Sequence, residues 1–427
     1  MHEQHKPRIT FYFQVHQPYR LRHYGVFEIG SHSQYFHEEK NKGIVQKVGK
    51  KCYLPTNRLM LYLLKKHPDF KISYSITGVA LEQFEQYYPE VFESFKKLLR
   101  HERVEVLGET YYHSLSFLYS RKEFIEQVEM HRSIVKELFF KKPKTFRNTE
   151  LIYSDELAKT VEELGFKTIL AEGADHILGW RSPNYVYKAR GADIKLLLKN
   201  YRLSDDIAFR FSNTNWEEYP LTAEKYAAWL NAVEGETINL FMDYETFGEH
   251  QWAETGIFRF MERLPEELKK YGISFATPTE IARLEAKDEL SYPHYVSWAD
   301  MERDLSAWLG NPLQNNAIQE LYKLERYVKS LNDPEITAIW RKLQTSDHFY
   351  YMCTKWFSDG DVHKYFNPYD TPYEGFIAFM NVLNDLAILI GKKFKERMGD
   401  AADKLFQQDS RIVMTDKPSM LVSRIIK

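Results

Sequence analysis

Cysteine is scarce in this chain, and that scarcity excludes several classes of protein. The 427 residues include only two cysteines, Cys52 and Cys353. They form no Cys-x-x-Cys pair, so the sequence offers neither a disulfide framework nor a zinc-ribbon site. Residues 1–7 lack the apolar core of a signal peptide, and no uninterrupted apolar run approaches the length of a membrane span. We therefore expect a cytoplasmic protein that has no membrane partner.

No excess of either charge is present. The 58 basic residues nearly balance the 60 acidic ones, which gives a formal net charge of −2 at pH 7. A nucleic-acid-binding protein needs a basic surface that displaces counterions, so we expect no nucleic-acid partner. The glycine pattern of a dinucleotide-binding loop is also missing, and the sequence predicts no cofactor. Nothing in the sequence indicates the oligomeric state.

Aromatic residues, in contrast, are abundant. The chain has 29 Tyr, 28 Phe and 8 Trp, together 15% of its residues. The apolar faces of sugar rings stack on aromatic rings, and Tyr and Trp add a polar group to that contact. Most of these residues must belong to the hydrophobic core, so their abundance favours a carbohydrate ligand only slightly.

Short β-like runs alternate with helical runs through the first two thirds of the chain. The periodicity predicts strands over residues 8–15, 70–76, 103–107, 143–149, 166–171, 237–242 and 273–276, separated by amphipathic helices. Such alternation indicates a parallel α/β sheet or barrel. After about Ala286 the pattern becomes mostly helical. We therefore predict a catalytic barrel over residues 1–286 and a helical domain over residues 287–427.

Two acidic residues follow predicted strands directly. Glu150 comes after the strand at 143–149, and Asp243 comes after the strand at 237–242. Chemistry collects at the carboxyl ends of strands in parallel barrels. Two carboxyls delivered there are the minimum requirement for cleaving a glycosidic bond, because one can attack while the other transfers a proton. Glu150 alone could equally be an acidic residue that stabilises the start of the following helix.

Five short motifs occur in order along the chain and resemble the five sequence regions of glycoside hydrolase family 57, in particular its α-amylase group. They are FQVHQPYRL at 13–21, RVEVLGETYYH at 103–113, FRNTE at 146–150, FMDYETFGEH at 241–250 and TSDHFYY at 345–351. Each motif is short, but five in this order are specific. The resemblance covers essentially the whole chain.

The resemblance implies a fold, an activity and a set of site residues. The fold would be an incomplete (β/α)7 barrel followed by a C-terminal α-helical domain that completes the active-site cleft. The activity would be cleavage of α-1,4-glucosidic bonds in starch, glycogen or maltodextrins with retention of configuration. Glu150 matches the nucleophile of the family and Asp243 its general acid/base. No metal ligand is predicted. We expect substrate contacts from His16, Gln17, Glu105, Glu109, Arg147, Glu245, Trp252, Trp308 and Asp347.

The proposed mechanism sets requirements on the two carboxyls. A retaining enzyme holds them roughly 5–5.5 Å apart. Glu150 must be ionised, so we expect a cation or hydrogen-bond donor beside it, and Arg147 is a candidate. Asp243 must keep its proton, so we expect its pKa to be raised by apolar neighbours such as Phe241 or Phe247, or by repulsion from Glu150. Arg147 stands where many family members have a tryptophan, and Gln14 replaces a second histidine of the first motif.

Three alternatives remain open at this point. Within the family, a 4-α-glucanotransferase or a glucan branching enzyme would use the same carboxyls with a sugar hydroxyl as acceptor. A metal-dependent polysaccharide deacetylase needs an aspartate and two histidines, usually four residues apart, and no two histidines of this chain have that spacing. A non-catalytic glucan-binding protein would account for the aromatic residues but not for the two acidic strand ends.

Overall fold

The structure is a computed structural model that describes residues 6–32, 34–355 and 367–399. By its contacts the chain forms two compact units, each built from separate stretches of sequence. The first comprises Met1–Gln17, Lys42–His113 and Arg121–Leu305, and the second comprises Pro18–Asn41, Ser114–Ser120 and Ser306–Lys427. This division by contacts is not a division into folding domains, so the domain boundary at 286/287 stays a prediction.

The first unit is built on two mainly parallel sheets. One has the order β3-β2-β1-β8 and the other has the order β4-β5-β7-β6-β9. Every pairing is parallel except that of β6 with β7. The strands are β1 (Arg8–Val15), β2 (Ile72–Ile76), β3 (Val104–Val106), β4 (Thr145–Phe146), β5 (Thr168–Glu172), β6 (Tyr187–Ala189), β7 (Lys195–Lys199), β8 (Thr237–Asp243) and β9 (Asp288–Leu290).

The two sheets approach each other along both edges. A parallel bridge between Gly108 and Phe146 joins the end of β3 to β4. On the other side, Asn200 N donates to Asn239 O at 2.9 Å, next to β7 and β8. The ring therefore contains seven parallel strands and is incomplete, because β7 and β8 form no ladder within the described ranges. This α/β fold with a helical C-terminal part confirms the predicted fold class.

Strands such as β1, β2 and β5 are buried on both faces, which places polar groups inside the barrel. In β1, Ile9, Phe11 and Phe13 alternate with Thr10 and Tyr12, and all five are buried. The Tyr12 hydroxyl lies 2.7 Å from Gln14 Oε1 and 2.6 Å from Ser75 Oγ. These contacts satisfy polar groups that would otherwise be costly to bury. The side chains of one buried cluster come from several strands and include Tyr12, Leu107, Leu170, Leu197 and Phe241.

The helices match the predicted pattern with small shifts. Pro89 begins a new helix directly after Gly78–Tyr87, and Ser154 caps the helix after Glu150 by accepting from Leu157 N. The helices are α1 (Glu38–Val48), α2 (Leu54–Lys66), α3 (Gly78–Tyr87), α4 (Pro89–Leu99), α5 (Arg121–Phe139), α6 (Asp155–Glu163), α7 (Asp175–Leu178), α8 (Tyr201–Ala208), α9 (Ala223–Ala232), α10 (Ile257–Lys270), α11 (Pro278–Ile281), α12 (Ser306–Leu309), α13 (Pro312–Lys323), α14 (Glu325–Leu331), α15 (Pro334–Lys342), α16 (Ser346–Tyr350) and α17 (Pro372–Met398).

The longest helix, α17, is apolar enough and long enough to cross a membrane by composition and length alone. It instead packs against α13, α14 and α15 of the second unit. Phe379, Val382, Leu386 and Ile390 on this helix are buried. In its most apolar stretch 56% is buried within the protein, so the helix forms the core of this unit.

Candidate active site

Glu150 leaves β4 through a strained turn. The strand ends at Phe146, and Thr149–Leu151 form a single 3-10 turn in which Glu150 has φ 56° and ψ 28°. A non-glycine residue in this left-handed region is uncommon and costs on the order of 1–3 kcal/mol. Such strain is typical of functional positions, because it aims a side chain where a relaxed backbone would not. The Glu150 side chain stays 21% exposed.

Two N–H groups from distant parts of the chain contact the Glu150 carboxylate. His113 Nε2 lies 3.1 Å from Oε1, and Trp298 Nε1 donates to Oε2 at 2.8 Å. Burial favours the neutral acid, but the hydrogen bonds and the positive charges of His113 and Arg147 outweigh it and lower the pKa of Glu150 to about 2. Glu150 is therefore ionised at neutral pH, as predicted for a nucleophile.

His113 is a site residue that the motif contained but that we did not single out. It is buried between two carboxylates: its Nδ1 lies 3.6 Å from Glu109 Oε2, and its Nε2 faces Glu150. Burial opposes protonation, yet the two carboxylates raise the pKa of His113 to about 9. The imidazole is therefore a cation at neutral pH. The sequence clue that could have identified it is the Glu109-x-x-x-His113 spacing within one motif.

Glu109 lies beside Nδ1 of His113, whereas Glu150 lies beside Nε2 of the same ring. The Glu109 side chain is fully buried and accepts from Gln14 Nε2 at 3.3 Å. Burial alone would raise its pKa, but His113, His131 and Arg147 lower the pKa of Glu109 below its usual value. Glu109 thus acts on Glu150 through His113, and its predicted contact with substrate stays a prediction.

Asp243 ends β8 opposite Gln14 of β1 in the strand register. Its carboxyl makes no hydrogen bond with the described residues. Burial and the negative charge of Glu150 raise the pKa of Asp243 to about 6. The raised pKa and its dependence on Glu150 agree with the predicted acid role. The distance between the two carboxyls stays a prediction.

Glu245 follows Asp243 by two residues and is also buried. Tyr53 Oη donates to its carboxylate, and Gln17 Nε2 contacts the same tyrosine hydroxyl at 3.0 Å. Burial and the charge of Asp243 raise the pKa of Glu245 to about 8. Gln17 and Glu245 thus lie together beside the acid, and their contact with a sugar stays a prediction.

His16 follows β1 and lies against the cation beside the nucleophile. Its ring stacks on His113 with 4.1 Å between centroids, and its Nδ1 lies 2.9 Å from Thr77 Oγ1. The side chain is partly exposed, so a bound sugar could reach it.

The structure does not bring every predicted residue to this site. Glu105 lies in the middle of β3, where it accepts from Thr145 Oγ1 and from the N–H and Oγ1 of Thr279. Glu105 thus lies in mid-strand and not at the strand end, and its predicted contact with substrate stays a prediction. Trp252 is 54% exposed and lies under Lys51 Nζ, 5.4 Å from the ring centroid.

Two predicted contacts belong to the second unit. Trp308 is only 1% exposed, and its ring centroid lies 6.2 Å from that of Tyr350, so its indole offers no free face to a sugar ring. Its predicted contact with substrate stays a prediction. Asp347 lies in α16 of the same unit. Its contribution to the substrate pocket stays a prediction.

A charged cluster beside Trp298 also escaped sequence reasoning. Glu172 ends β5 and Lys199 ends β7, and their side chains lie 3.6 Å apart. Arg303 Nη1 donates to Glu172 Oε2 at 3.2 Å.

Within the described ranges, no group of three or more His, Cys, Asp or Glu side chains is arranged to hold a metal ion.

Comparison with known proteins identifies the family of this chain. The family model described as Glycosyl hydrolase family 57 matches residues 10–295. A Methanocaldococcus jannaschii protein that bears the provisional name of an alpha-amylase is 46% identical over 400 residues, which cover 90% of this chain and 84% of that protein.

Solved structures show the same fold at low sequence identity. A family 57 branching enzyme from Pyrococcus horikoshii superposes with a TM-score of 0.66 at 16% identity, over 97% of this chain and 98% of that one. A 4-alpha-glucanotransferase from Thermococcus litoralis gives a TM-score of 0.62 at 15% identity, over 92% of this chain and 60% of that one. The chain belongs to glycosyl hydrolase family 57.

Proposed function

We propose that this chain is a retaining α-glucan hydrolase of the α-amylase type, with Glu150 as nucleophile and Asp243 as general acid/base. The observation that carries the proposal is the opposite shift of the two pKa values, to about 2 for Glu150 and to about 6 for Asp243. Pairs of titratable groups whose surroundings separate their pKa values are typical of acid/base assignments in enzymes. The substrate would be an α-1,4-linked glucan such as starch, glycogen or a maltodextrin.

In the first step the Glu150 carboxylate attacks the anomeric carbon and forms a covalent glycosyl-enzyme. Asp243 gives its proton to the glycosidic oxygen as the bond to the leaving sugar breaks. The N–H of Trp298 and the His113 cation bind the carboxylate and keep it charged before the attack. Both also orient it, which reduces the entropy lost on reaching the transition state.

In the second step Asp243, now ionised, takes a proton from the acceptor as the acceptor oxygen attacks the anomeric carbon. The ester bond between the sugar and Glu150 breaks, which restores the Glu150 carboxylate. Water as acceptor gives hydrolysis, and a sugar hydroxyl gives transfer. The choice depends on how well the site binds a sugar acceptor and excludes water. The 46% identical relative with the alpha-amylase name supports hydrolysis. The structural likeness to a branching enzyme and a glucanotransferase keeps transfer as the second candidate.

Product analysis from maltoheptaose separates these outcomes. We expect shorter maltooligosaccharides and a steady gain in reducing ends, measured by chromatography and a reducing-sugar assay. Products longer than seven glucose units without a gain in reducing ends would show a 4-α-glucanotransferase. New α-1,6 linkages, detected by NMR on an amylose substrate, would show a branching enzyme.

Binding without turnover would overturn the enzyme proposal. Isothermal titration of maltoheptaose with wild type and Glu150→Gln measures this directly. If wild type binds the glucan but releases no product over days, the chain is a glucan-binding protein and Glu150 is not a nucleophile. A loss of turnover in Glu150→Gln with unchanged affinity supports the proposed role.

A further inference from the structure

Trp298 holds the nucleophile by two separate contacts. Its indole Nε1 donates to Glu150 Oε2 at 2.8 Å, and its backbone N donates to the Glu150 carbonyl oxygen at 3.2 Å. One residue thus fixes both the side chain and the backbone of Glu150, whose left-handed conformation needs such support. Trp298 lies just beyond residues 10–295, which the family model matches.

Two cations lie against the indole ring of Trp298. The Arg147 guanidinium carbon is 4.7 Å from the ring centroid, and Lys199 Nζ is 5.5 Å from it. Arg147 is fully buried, and its three guanidinium nitrogens make no hydrogen bond with the described residues. The indole ring is therefore the group on which this guanidinium rests. Both positive charges draw electron density from the indole and make its N–H a stronger donor to Glu150.

The loop that carries Trp298 is fastened to the barrel by Arg303. Arg303 Nη1 donates to the Trp298 carbonyl oxygen at 2.5 Å and to Glu172 Oε2 at 3.2 Å. Lys199 Nζ lies 3.6 Å from that same carboxylate and 3.1 Å from Asp205 Oδ1. Glu172 at the end of β5 thus holds both the loop of Trp298 and one of the cations on its ring.

We propose that Trp298 is a catalytic residue whose indole N–H holds the attacking carboxylate in place and charged, and that Glu172 is a positioning residue that acts on it through Arg303 and Lys199. This assignment rests on the proposed function, since it requires Glu150 to be the nucleophile. It differs from a sugar-stacking role for Trp298, in which the ring face would contact substrate and the N–H would have no part.

The pH dependence of kcat/KM on a maltooligosaccharide separates these roles. Trp298→Phe keeps an aromatic ring beside the cations and removes the N–H together with the five-membered ring that carries it. A hydrogen bond to a charged group contributes enough that we expect kcat to fall about tenfold and the acidic limb to move up by about one pH unit. The other charged groups that face Glu150 are His113, Arg147 and Asp243, and they remain. The alkaline limb should therefore stay in place.

Trp340→Phe is the matched control. Trp340 is buried in the second unit, and its Nε1 donates to the Leu321 carbonyl oxygen at 2.9 Å. The same loss of an N–H there should lower thermal stability without moving either limb. Glu172→Gln is the second variant, and it tests the same contact should Trp298→Phe fold poorly. We expect a shift of the acidic limb in the same direction but smaller, and no additional shift when both changes are combined.

Three results would overturn the assignment. In the first, KM rises while the acidic limb stays fixed, as a stacking platform predicts. In the second, Trp340→Phe moves the acidic limb as far as Trp298→Phe does. In the third, the shifts of Trp298→Phe and Glu172→Gln simply add. If wild type itself turns over no glucan, the proposed function fails instead, so the two failures are distinguishable.

Discussion

The ends of β4 and β8 carry the same chemical group in opposite surroundings. At the end of β4, Glu150 receives N–H groups from His113 and Trp298. At the end of β8, Asp243 receives no hydrogen bond from the described residues, and its strongest charged neighbour is the negative Glu150. Burial favours the neutral form of both carboxyls. The difference between them therefore comes from the donors and charges, not from the degree of burial.

The residues that give the two carboxyls different charges come from other parts of the chain. His113 follows β3, whereas Trp298 lies in a loop after the last strand of the ring, so both reach Glu150 only when the barrel has formed. Each strand end supplies a carboxyl, and residues from elsewhere decide its charge. Substitutions on either side should therefore separate the two roles.

Replacing Glu150 by Gln removes the nucleophile and leaves a side chain of the same size. We expect kcat on maltoheptaose to fall roughly 10⁴-fold or more, the order of loss seen when an enzyme loses its nucleophile. The measurement is the rate of reducing-end release.

Glu105→Gln is the matched control for that change. Glu105 is also a carboxylate of the barrel, but it is bound by Thr145 and Thr279 inside β3. Its substitution should leave kcat within about tenfold of wild type, as a structural hydrogen bond implies. An equal loss in both variants would mean that turnover depends on Glu105 as much as on Glu150, and would support a substrate role for Glu105.

Replacing Asp243 by Asn removes the proton donor. Because the protonated acid is the active form and its pKa is about 6, wild-type kcat/KM should fall as the pH rises above that value. The variant should lose roughly 10²–10⁴-fold in rate, which is the usual contribution of general acid/base catalysis, together with the alkaline limb. The pH profile of kcat/KM between pH 4 and 9 measures both effects.

A substrate with a good leaving group sharpens this test. Fluoride leaves an α-maltosyl fluoride without needing a proton, so Asp243→Asn should form the glycosyl-enzyme from it nearly as fast as wild type. Burst kinetics of fluoride release report that step. An equal loss on the fluoride and on maltoheptaose would mean that Asp243 is not the acid.

Replacing His113 by Gln removes the cation that lies beside the Glu150 carboxylate. We expect kcat/KM to fall roughly 10- to 100-fold and the acidic limb to move up by about one to two pH units, the effect of losing a hydrogen bond to a charged group. The alkaline limb should move little, because Asp243 keeps its main neighbour, Glu150.

The free energy of unfolding should also depend on the His113 cation. The folded pKa of His113 is raised to about 9, so its contribution is complete below the unfolded value near 6.5 and is lost as the pH rises through 9. Wild type should lose up to about 3 kcal/mol of unfolding free energy between pH 6.5 and 9. Urea denaturation at several pH values measures this loss. His113→Gln should show a smaller loss, which the raised pKa of Glu245, about 8, still produces as the pH rises toward that value.

His131→Gln provides the control for the stability measurement. Burial lowers the pKa of His131, which therefore stays neutral across this pH range. Its replacement should lower the stability equally at pH 6.5 and 9. If His131→Gln also removed the loss of stability above pH 6.5, the cation would be wrongly assigned to His113.

The strand ends were predictable because local periodicity determines them. The strand predicted over 8–15 has the same bounds as β1, and the strand predicted over 237–242 differs from β8 by one residue. The position of Asp243 follows from the pattern at 237–242. The run predicted at 143–149 precedes Glu150, but only Thr145–Phe146 of it forms β4. The periodicity shows the strand that holds Glu105 but not how far along it the end of the barrel lies, so the substrate contact of Glu105 stays a prediction.

The partners of the two carboxyls were not predictable in the same way. Trp298 and Arg303 lie in an irregular loop, and their positions depend on hydrogen bonds to distant strands. The run over Lys195–Lys199 is a strand that we missed, because a short apolar run has no period that separates strand from helix. Lys199 and its cluster with Glu172 were missed with it.

Covalent trapping of the glycosyl-enzyme would identify the carboxyl that attacks the sugar. A 5-fluoro-α-maltosyl fluoride forms such an intermediate quickly and releases it slowly, so mass spectrometry of a peptic digest can locate the bound sugar. We expect one sugar on the peptide that contains Glu150 and none on that peptide in Glu150→Gln. A sugar attached to Asp243 or Glu245, or rapid turnover with inversion at the anomeric carbon, would contradict it.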